Sequence, residues 1–262
     1  MTPTLPNKAT LSFALHLVRT RLVVKVAWAL GAVTTLAFVA VAALIAKEGN
    51  DPPLASLMLL VEGALAYGVG FLVAFGGATQ AFRQDRDDGI RALFRARGAT
   101  TSQYLVARTL GLMVAVAIPT VGGTAVTGLG ALLFAHRTSA LPSTARAVAV
   151  GLLFALVFSV MVTLVALAAL GARSRAGGYL ALIALFGMPE LLSPWTSALV
   201  PRAWSGLVSL PGMLDTMRTT LLPGSFDGAL LVRALAALLG SMVVLALFVR
   251  GELLRLETEG AR

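Results

Sequence analysis

Cysteine and charged residues are absent or scarce in this sequence, and each shortage excludes a class of protein. Cysteine does not occur, which excludes a disulfide scaffold and removes the ligand that most structural zinc sites use. Charged residues make up only 13% of the chain, about half of their share in an average soluble domain. Hydrophobic residues make up 58% and the mean hydropathy is +0.87, so the sequence predicts a polytopic membrane protein.

Lysine and histidine are also scarce, and their positions argue against catalysis. The three lysines are followed by Ala9, Val26 and Glu48, so no Gly-Lys-Ser/Thr sequence can form a Walker A loop for ATP. The two histidines, His16 and His136, are predicted to lie on opposite faces of the membrane. We therefore predict no catalytic residue, no metal and no cofactor.

One short sequence echoes an enzyme signature. Asp88, Gly89 and Ala92 resemble the start of the metal-binding aspartate signature of CDP-alcohol phosphotransferases. That signature continues with arginine and two further aspartates, whereas Leu93 follows here and the next acid after Asp88 is Glu190. A metal would lack ligands at this position, so we predict that the chain is not an enzyme.

Six apolar runs indicate membrane-spanning helices. A helix of about 20 residues crosses a hydrocarbon core of roughly 30 Å. The first run, residues 22–46, is too long for the apolar core of a signal peptide, so we expect it to be retained as a span. The sequence predicts an all-α polytopic protein with one transmembrane domain, residues 1–262, whose spans are residues 22–46, 54–79, 104–134, 147–171, 177–192 and 229–249.

Positive charge is unevenly divided between the two predicted sides of the membrane. One side holds the N-terminal flank, the loops after the second and fourth spans and the C-terminal tail, with 15 lysines and arginines against six on the other. The positive-inside rule therefore places both termini in the cytoplasm. Topology accounts for the net charge of +9, so we do not expect nucleic-acid binding. Abundant Arg, Ala, Val and Gly are typical of a high-GC bacterial genome, which indicates a bacterial cytoplasmic (inner) membrane.

Two segments depart from the pattern of simple spans. Residues 10–21 carry an apolar stripe at helical spacing, which indicates a helix lying at the cytoplasmic interface; a helical extension of the first span is the alternative. Residues 193–228 contain four prolines and two tryptophans, and their apolar pieces are too short to cross. We predict outer half-helices that re-enter the membrane, with the tryptophans in the aromatic belt.

The loop after the second span contains an amphipathic segment, residues 85–97. Ile90, Leu93 and Phe94 form an apolar stripe at helical spacing, and Gly98 is a natural stop. These features predict one short surface helix, which can anchor the loop, bind anionic lipid or dock on a cytoplasmic partner. The candidate capping residues are Asp85 and Asp87 for this helix, and Thr100, Thr101 and Ser102 for the next.

The same loop resembles that of type-2 ATP-binding-cassette (ABC) exporter permeases. Their pattern is Glu-Arg-x-x-Gly-Thr-Leu-Glu-x-Leu, and the chain reads Asp-Arg-Asp-Asp-Gly-Ile-Arg-Ala-Leu-Phe from Asp85 to Phe94. Asp85, Arg86 and Gly89 match the first three fixed positions, and the three residues after Gly89 depart from the pattern. The layout is also similar: an interfacial helix, six spans and a proline-rich outer segment before the last span.

This resemblance implies a permease subunit without ATPase activity of its own. Such a permease lies in the lipid bilayer, pairs with a second copy or a second permease, and is driven by a separate ABC ATPase that grips the loop helix. The alternative is a membrane channel, or a scaffold module of an envelope machine, with no ATPase partner. The residues that the resemblance assigns to ATPase coupling are Asp85, Arg86, Asp87, Gly89, Ile90, Arg91, Leu93 and Phe94.

Glu62 is the one acidic residue well inside a predicted span, roughly 12 Å below its outer end. Acids inside a membrane are costly and are often functional, so Glu62 and Tyr67 are candidates for a substrate path. The alternative for Glu62 is a wet outer vestibule, or an ion pair with Arg218 or Arg233. The sequence does not indicate which substrate is carried.

Overall fold

The computed structural model describes residues 8–47, 54–134, 141–222 and 226–259, and within these ranges the regular structure is helical, with no strand. The α-helices are α1 (Lys8–Arg19), α2 (Leu22–Lys47), α3 (Leu54–Gly63), α4 (Phe71–Ala78), α5 (Ala81–Asp87), α6 (Ile90–Ala96), α7 (Thr101–Ala117), α8 (Gly123–Phe134), α9 (Leu141–Leu170), α10 (Arg175–Leu182), α11 (Met188–Leu199), α12 (Leu210–Leu221) and α13 (Gly228–Glu259). The π-helical segments π1 (Ala64–Gly70), π2 (Ile118–Gly122) and π3 (Ile183–Gly187) join α3 to α4, α7 to α8 and α10 to α11, and a 3-10 helix covers Arg202–Leu207.

Five helical stretches in the described residues are long and apolar enough to cross a membrane, and they overlap five of the six predicted spans, the second of them running on through α5 beyond the predicted end at residue 79. They are Leu22–Leu44, Met58–Asp87, Thr101–Phe134, Leu141–Leu170 and Gly228–Leu256. The remaining prediction, residues 177–192, coincides with a shorter apolar helix, Ala176–Leu192.

The bundle is organised around α9. Among the five candidate spans this helix is the most enclosed, because 61% of its most apolar 18-residue stretch is buried. In contrast, α13 and α2 bury only 17% and 28% of theirs, so most of their apolar surface faces outward, as suits a helix bounded by lipid. The N-terminal helix α1 lies on α7 at Gly111, where a Cβ would come within 3.0 Å of the α1 backbone.

The structure decides between the two alternatives for residues 10–21 and differs from the prediction for the outer segment. A turn at Thr20 and Arg21 separates α1 from α2, so residues 10–21 do not continue the first span as one helix. The outer segment was predicted to begin at residue 193, but α11 continues to Leu199 with Pro194 inside it. A proline removes one backbone hydrogen bond from a helix and bends it, but it need not end the helix.

Candidate functional site

The loop after the second span folds as two short helices, α5 and α6. Gly89 lies between them with φ 70°, a left-handed conformation that an α-helix cannot continue and that favours glycine. Gly89 therefore takes the N-cap position of α6, and the prediction of one helix from residue 85 was wrong. The predicted stop is confirmed, because Gly98 has φ 75°. Thr100 caps α7 in a reciprocal capping box with Gln103.

Asp85 is buried rather than placed at a helix start, with an exposed fraction of 2%. Its Oδ2 accepts a hydrogen bond from the Tyr104 hydroxyl at 2.7 Å and lies 2.7 Å from Nε of Arg108. Nη2 of Arg108 donates to Oδ1 at 2.9 Å. Burying an ionised carboxylate costs free energy, and such partners offset that cost. Tyr104 and Arg108 stand four residues apart on α7, and this spacing is the sequence signal that could have predicted the pair.

An aromatic layer holds α6 against α7 and α1. The Phe94 ring stands edge-on to Tyr104, with centroids 5.2 Å apart, and lies 5.5 Å from Phe13 of α1. The Arg91 guanidinium lies over the Tyr104 ring, 5.6 Å from its centroid. Phe94 and Arg91 thus point inward, and one face of α6 is fastened to two other helices.

Backbone hydrogen bonds fasten α5 to the end of α9. The amide of Gln80 donates to the carbonyl of Leu170, and that of Phe82 donates to Gly171, both at 2.9 Å. Gly171 leaves no room for a side chain, because a Cβ there would lie 2.8 Å from the Phe82 ring. The loop therefore contacts α9 as directly as it contacts α7.

Arg21, in the turn before α2, completes this assembly. Its Nη1 donates to the carbonyls of Gly76 and Thr79 at 3.0 and 2.9 Å, and its Nη2 donates to the Gln84 side chain at 3.1 Å. Burial and the nearby charge of Arg108 lower the pKa of Arg21 from its ordinary value. We call α1, α5, α6, the start of α7 and residues 171–174 the polar end of the bundle.

The eight predicted coupling residues divide into inward and outward groups. Asp85, Arg91 and Phe94 are buried, whereas Asp87 and Leu93 are exposed, Leu93 with 54% of its surface. The other three are partly buried: Arg86, Gly89 and Ile90. Leu93 projects from the outward face of α6. Three arginines are also exposed here: Arg83 on α5, Arg95 on α6 and Arg97 at the C-cap of α6.

Glu62 lies near the other end of the second span and is buried, with an exposed fraction of 3%. Its carboxylate packs against α9 at Gly151, where a Cβ would overlap Oε1. No described residue donates a hydrogen bond to it. It interacts electrostatically with Arg218, but no described ion pair joins Glu62 to Arg218 or Arg233.

Tyr67, in π1, follows Glu62 along the second span and packs against α9. Its ring stands edge-on to Phe158 of α9, with centroids 5.2 Å apart, and lies 6.3 Å from Phe154. Arg218 of α12 covers the Phe154 ring at 5.0 Å from its centroid, and its Nη2 donates to Asp215 at 2.8 Å. The structure therefore brings Glu62, Tyr67 and α12 together against α9.

Comparison with known proteins identifies no relative. No family model, no curated protein and no solved structure matches the chain. The described residues also contain no group of three or more side chains suited to hold a metal ion. The polar end and the Glu62 region are therefore the two candidate functional sites of the described residues.

Proposed function

We propose that this chain is the membrane-spanning permease subunit of an ABC transporter, working as an exporter with a separate ATPase that docks on α6. The observation that carries this proposal is the two-faced environment of α6. Its inner face is fastened to α1 and α7, while its outer face presents Leu93 among exposed arginines. A helix that transmits movement from an ATPase to the spans needs one face packed against the bundle and another face accessible to the ATPase.

The loop is connected to the bundle by two sets of contacts. One runs through Phe94 and Arg91 to Tyr104, which shares Asp85 with Arg108 on α7. The other runs through α5, whose backbone is bonded to the end of α9. Displacement of α6 by a motor would thus reach two spans at once. In this proposal Asp85, Arg91 and Phe94 hold α6 against the bundle, and Leu93 and Asp87 contact the ATPase.

Contacts at the polar end support a common side for the loops that carry most of the arginines. Arg173, after α9, forms an ion pair of 3.1 Å with Glu252 near the end of α13. Phe13 of α1 meets Phe94 of α6. The positive-inside rule makes this the cytoplasmic side, so α1 and the end of α13 lie in or near the cytoplasm.

The sixth crossing in this proposal is the path formed by α10, π3 and α11. These elements follow one another without interruption from Arg175 to Leu199, about 37 Å of helix at 1.5 Å per residue. That length exceeds a hydrocarbon core of roughly 30 Å, although the most apolar part is shorter. The proposed permease pairs with a second copy or a second permease in a bacterial inner membrane.

The test is purification of the tagged chain together with any bound ATPase. We expect the wild-type chain to retain a protein that carries a Walker A sequence, and to show ATP hydrolysis. Leu93→Glu and Arg95→Glu should each remove most of that protein. Lys8→Glu is the control, because Lys8 is exposed on α1 and the substitution makes the same charge change as Arg95→Glu. Retention of the ATPase by both α6 variants, or its absence from the wild-type chain, would contradict the proposal.

A further inference from the structure

The carboxylate of Glu62 is buried inside the second span without a hydrogen-bond donor among the described residues. An ionised carboxylate in an apolar interior is costly unless it is paired, so this site favours a cationic partner. Among the residues that the structure describes, none supplies that partner: Arg218 is near enough to interact electrostatically but forms no ion pair with Glu62.

Arg218 has the complementary deficiency. Its Nη2 donates to Oδ1 of Asp215, but its Nε is buried and has no hydrogen-bond acceptor within the described ranges. The guanidinium lies over the Phe154 ring, 5.0 Å from its centroid, and its remaining N–H groups can donate only to an acceptor beside the ring. The Glu62 carboxylate therefore needs hydrogen-bond donors, and Nε of Arg218 needs an acceptor. The two side chains do not form a hydrogen bond with each other.

Aromatic side chains and the partly exposed ion pair of Arg218 with Asp215 complete the site. Tyr67, Phe154 and Phe158 form a continuous aromatic wall on α9 and π1. Tyr67 lies within electrostatic range of Arg218 and Asp215. The side chain of Asp215 is 54% exposed and that of Arg218 is 17% exposed, so α12 carries the charged groups of the site from the surface toward the buried aromatic wall.

We propose that Glu62 and Arg218 together bind the head group of a zwitterionic amphiphile. Its ammonium group donates to the Glu62 carboxylate, its acidic group accepts from Arg218, and its apolar part packs on the aromatic wall. A simple cation would leave Nε of Arg218 without an acceptor and would place a second positive charge near it. A simple anion would leave Glu62 without a donor and would place a second negative charge near it. That this ligand is the transported substrate rests on the proposed function.

The experiment measures binding to the purified chain alone, in maltoside micelles, by calorimetry. The probes share one alkyl chain: dodecylamine, dodecyl phosphate and dodecyl phosphoethanolamine. We expect the zwitterion to bind at least about tenfold more tightly than either of the others, because one charged hydrogen bond contributes about that factor. Glu62→Gln and Arg218→Gln should each weaken binding of the zwitterion by about tenfold or more.

Matched variants and unliganded melting curves separate binding from folding. Asp88→Asn and Arg250→Gln remove the same charges from exposed positions and should leave the affinity unchanged. Glu62→Gln removes a buried charge, so its unliganded melting temperature should not fall below that of the wild type. Equal affinity for the three probes, or unchanged affinity in Glu62→Gln, would overturn the proposal.

A fourth probe, phosphoethanolamine without the alkyl chain, distinguishes the source of the ligand. Binding of this probe would support the proposal and indicate a water-soluble ligand. Binding that requires the alkyl chain would also support it and indicate a lipid. No ATPase is present in these assays, so a negative result here leaves the docking of α6 untouched, and a failure of ATPase docking leaves the binding result untouched.

Discussion

Asp85 and Glu62 are two carboxylates at opposite ends of one span, and they differ in what surrounds them. Both are buried, with exposed fractions of 2% and 3%. Asp85 accepts hydrogen bonds from Tyr104 and Arg108, whereas no described residue donates to Glu62. Burial alone therefore does not reveal a role. The satisfied carboxylate holds helices together, and the unsatisfied one is suited to hold a ligand.

The contrast has an energetic consequence. Removing one member of a buried pair strands the other charge, while neutralising a charge that lacks partners relieves a cost. Substitutions at the two ends should therefore change the free energy of unfolding in opposite directions. Four substitutions test this contrast.

Asp85→Ala should have the largest effect. It strands the Arg108 guanidinium in the interior, so we expect the free energy of unfolding to fall by about 3–5 kcal/mol. Denaturation in mixed micelles, followed by tryptophan fluorescence, measures the change. Asp87→Ala is the control, because the Asp87 side chain is 58% exposed, and it should cost less than about 1 kcal/mol. Equal costs for the two variants would show that the Asp85 pair does not hold the polar end.

Tyr104→Phe isolates one hydrogen bond at the same joint. The ring and its contact with Phe94 remain, but Asp85 loses the phenol donor. We expect a loss of about 1.5–3 kcal/mol, measured in the same unfolding assay. Tyr179→Phe is a control because Tyr179 is half exposed, and its change should lie within about 0.5 kcal/mol. An unchanged free energy of unfolding in Tyr104→Phe would show that Arg108 alone stabilises the buried Asp85 carboxylate.

Gly151→Ala tests how closely Glu62 is packed. The added Cβ would overlap the Glu62 carboxylate, so we expect a loss of about 1–2 kcal/mol in the free energy of unfolding. Gly240→Ala on α13 is the matched control, because nothing lies within 4 Å of its Cβ position and alanine favours helix. If both substitutions stabilise the chain, Glu62 does not lie against α9.

Glu62→Gln should have the smallest effect and the opposite sign. The amide keeps the shape of the carboxylate but removes its charge, so the free energy of unfolding should stay constant or rise by about 1 kcal/mol. Comparison with Asp85→Asn in one denaturation series gives the contrast directly. A Glu62→Gln variant that is destabilised as strongly as Asp85→Asn would show that both carboxylates are structural.

The coarse architecture could be predicted from the sequence because it depends on the length of apolar runs. The run at residues 22–46 and the candidate span Leu22–Leu44 begin at the same residue. The stop at Gly98 could also be predicted, since its reason is local. Both features need only neighbouring residues to be understood.

The site could be predicted only in part, because its geometry depends on residues distant in sequence. Asp85 is 23 positions from Arg108, and nothing near Asp85 shows that its carboxylate is held by α7 rather than at a helix start. Gly89 was seen as a motif position, but its left-handed conformation divides the loop into two helices. Phe13 and Phe94 meet only because α1 folds back onto α7.

The most direct test of the central claim is a cross-link from the outer face of α6. The chain contains no cysteine, so Leu93→Cys provides one reactive thiol for a photo-activated reagent. Leu199→Cys, at the exposed end of α11, is the matched control. We predict that Leu93→Cys in membranes captures a protein with a Walker A sequence, identified by mass spectrometry, and that Leu199→Cys does not. Two results would contradict the account: capture of lipid but no ATPase at Leu93→Cys, or equal capture of the ATPase at Leu93→Cys and Leu199→Cys.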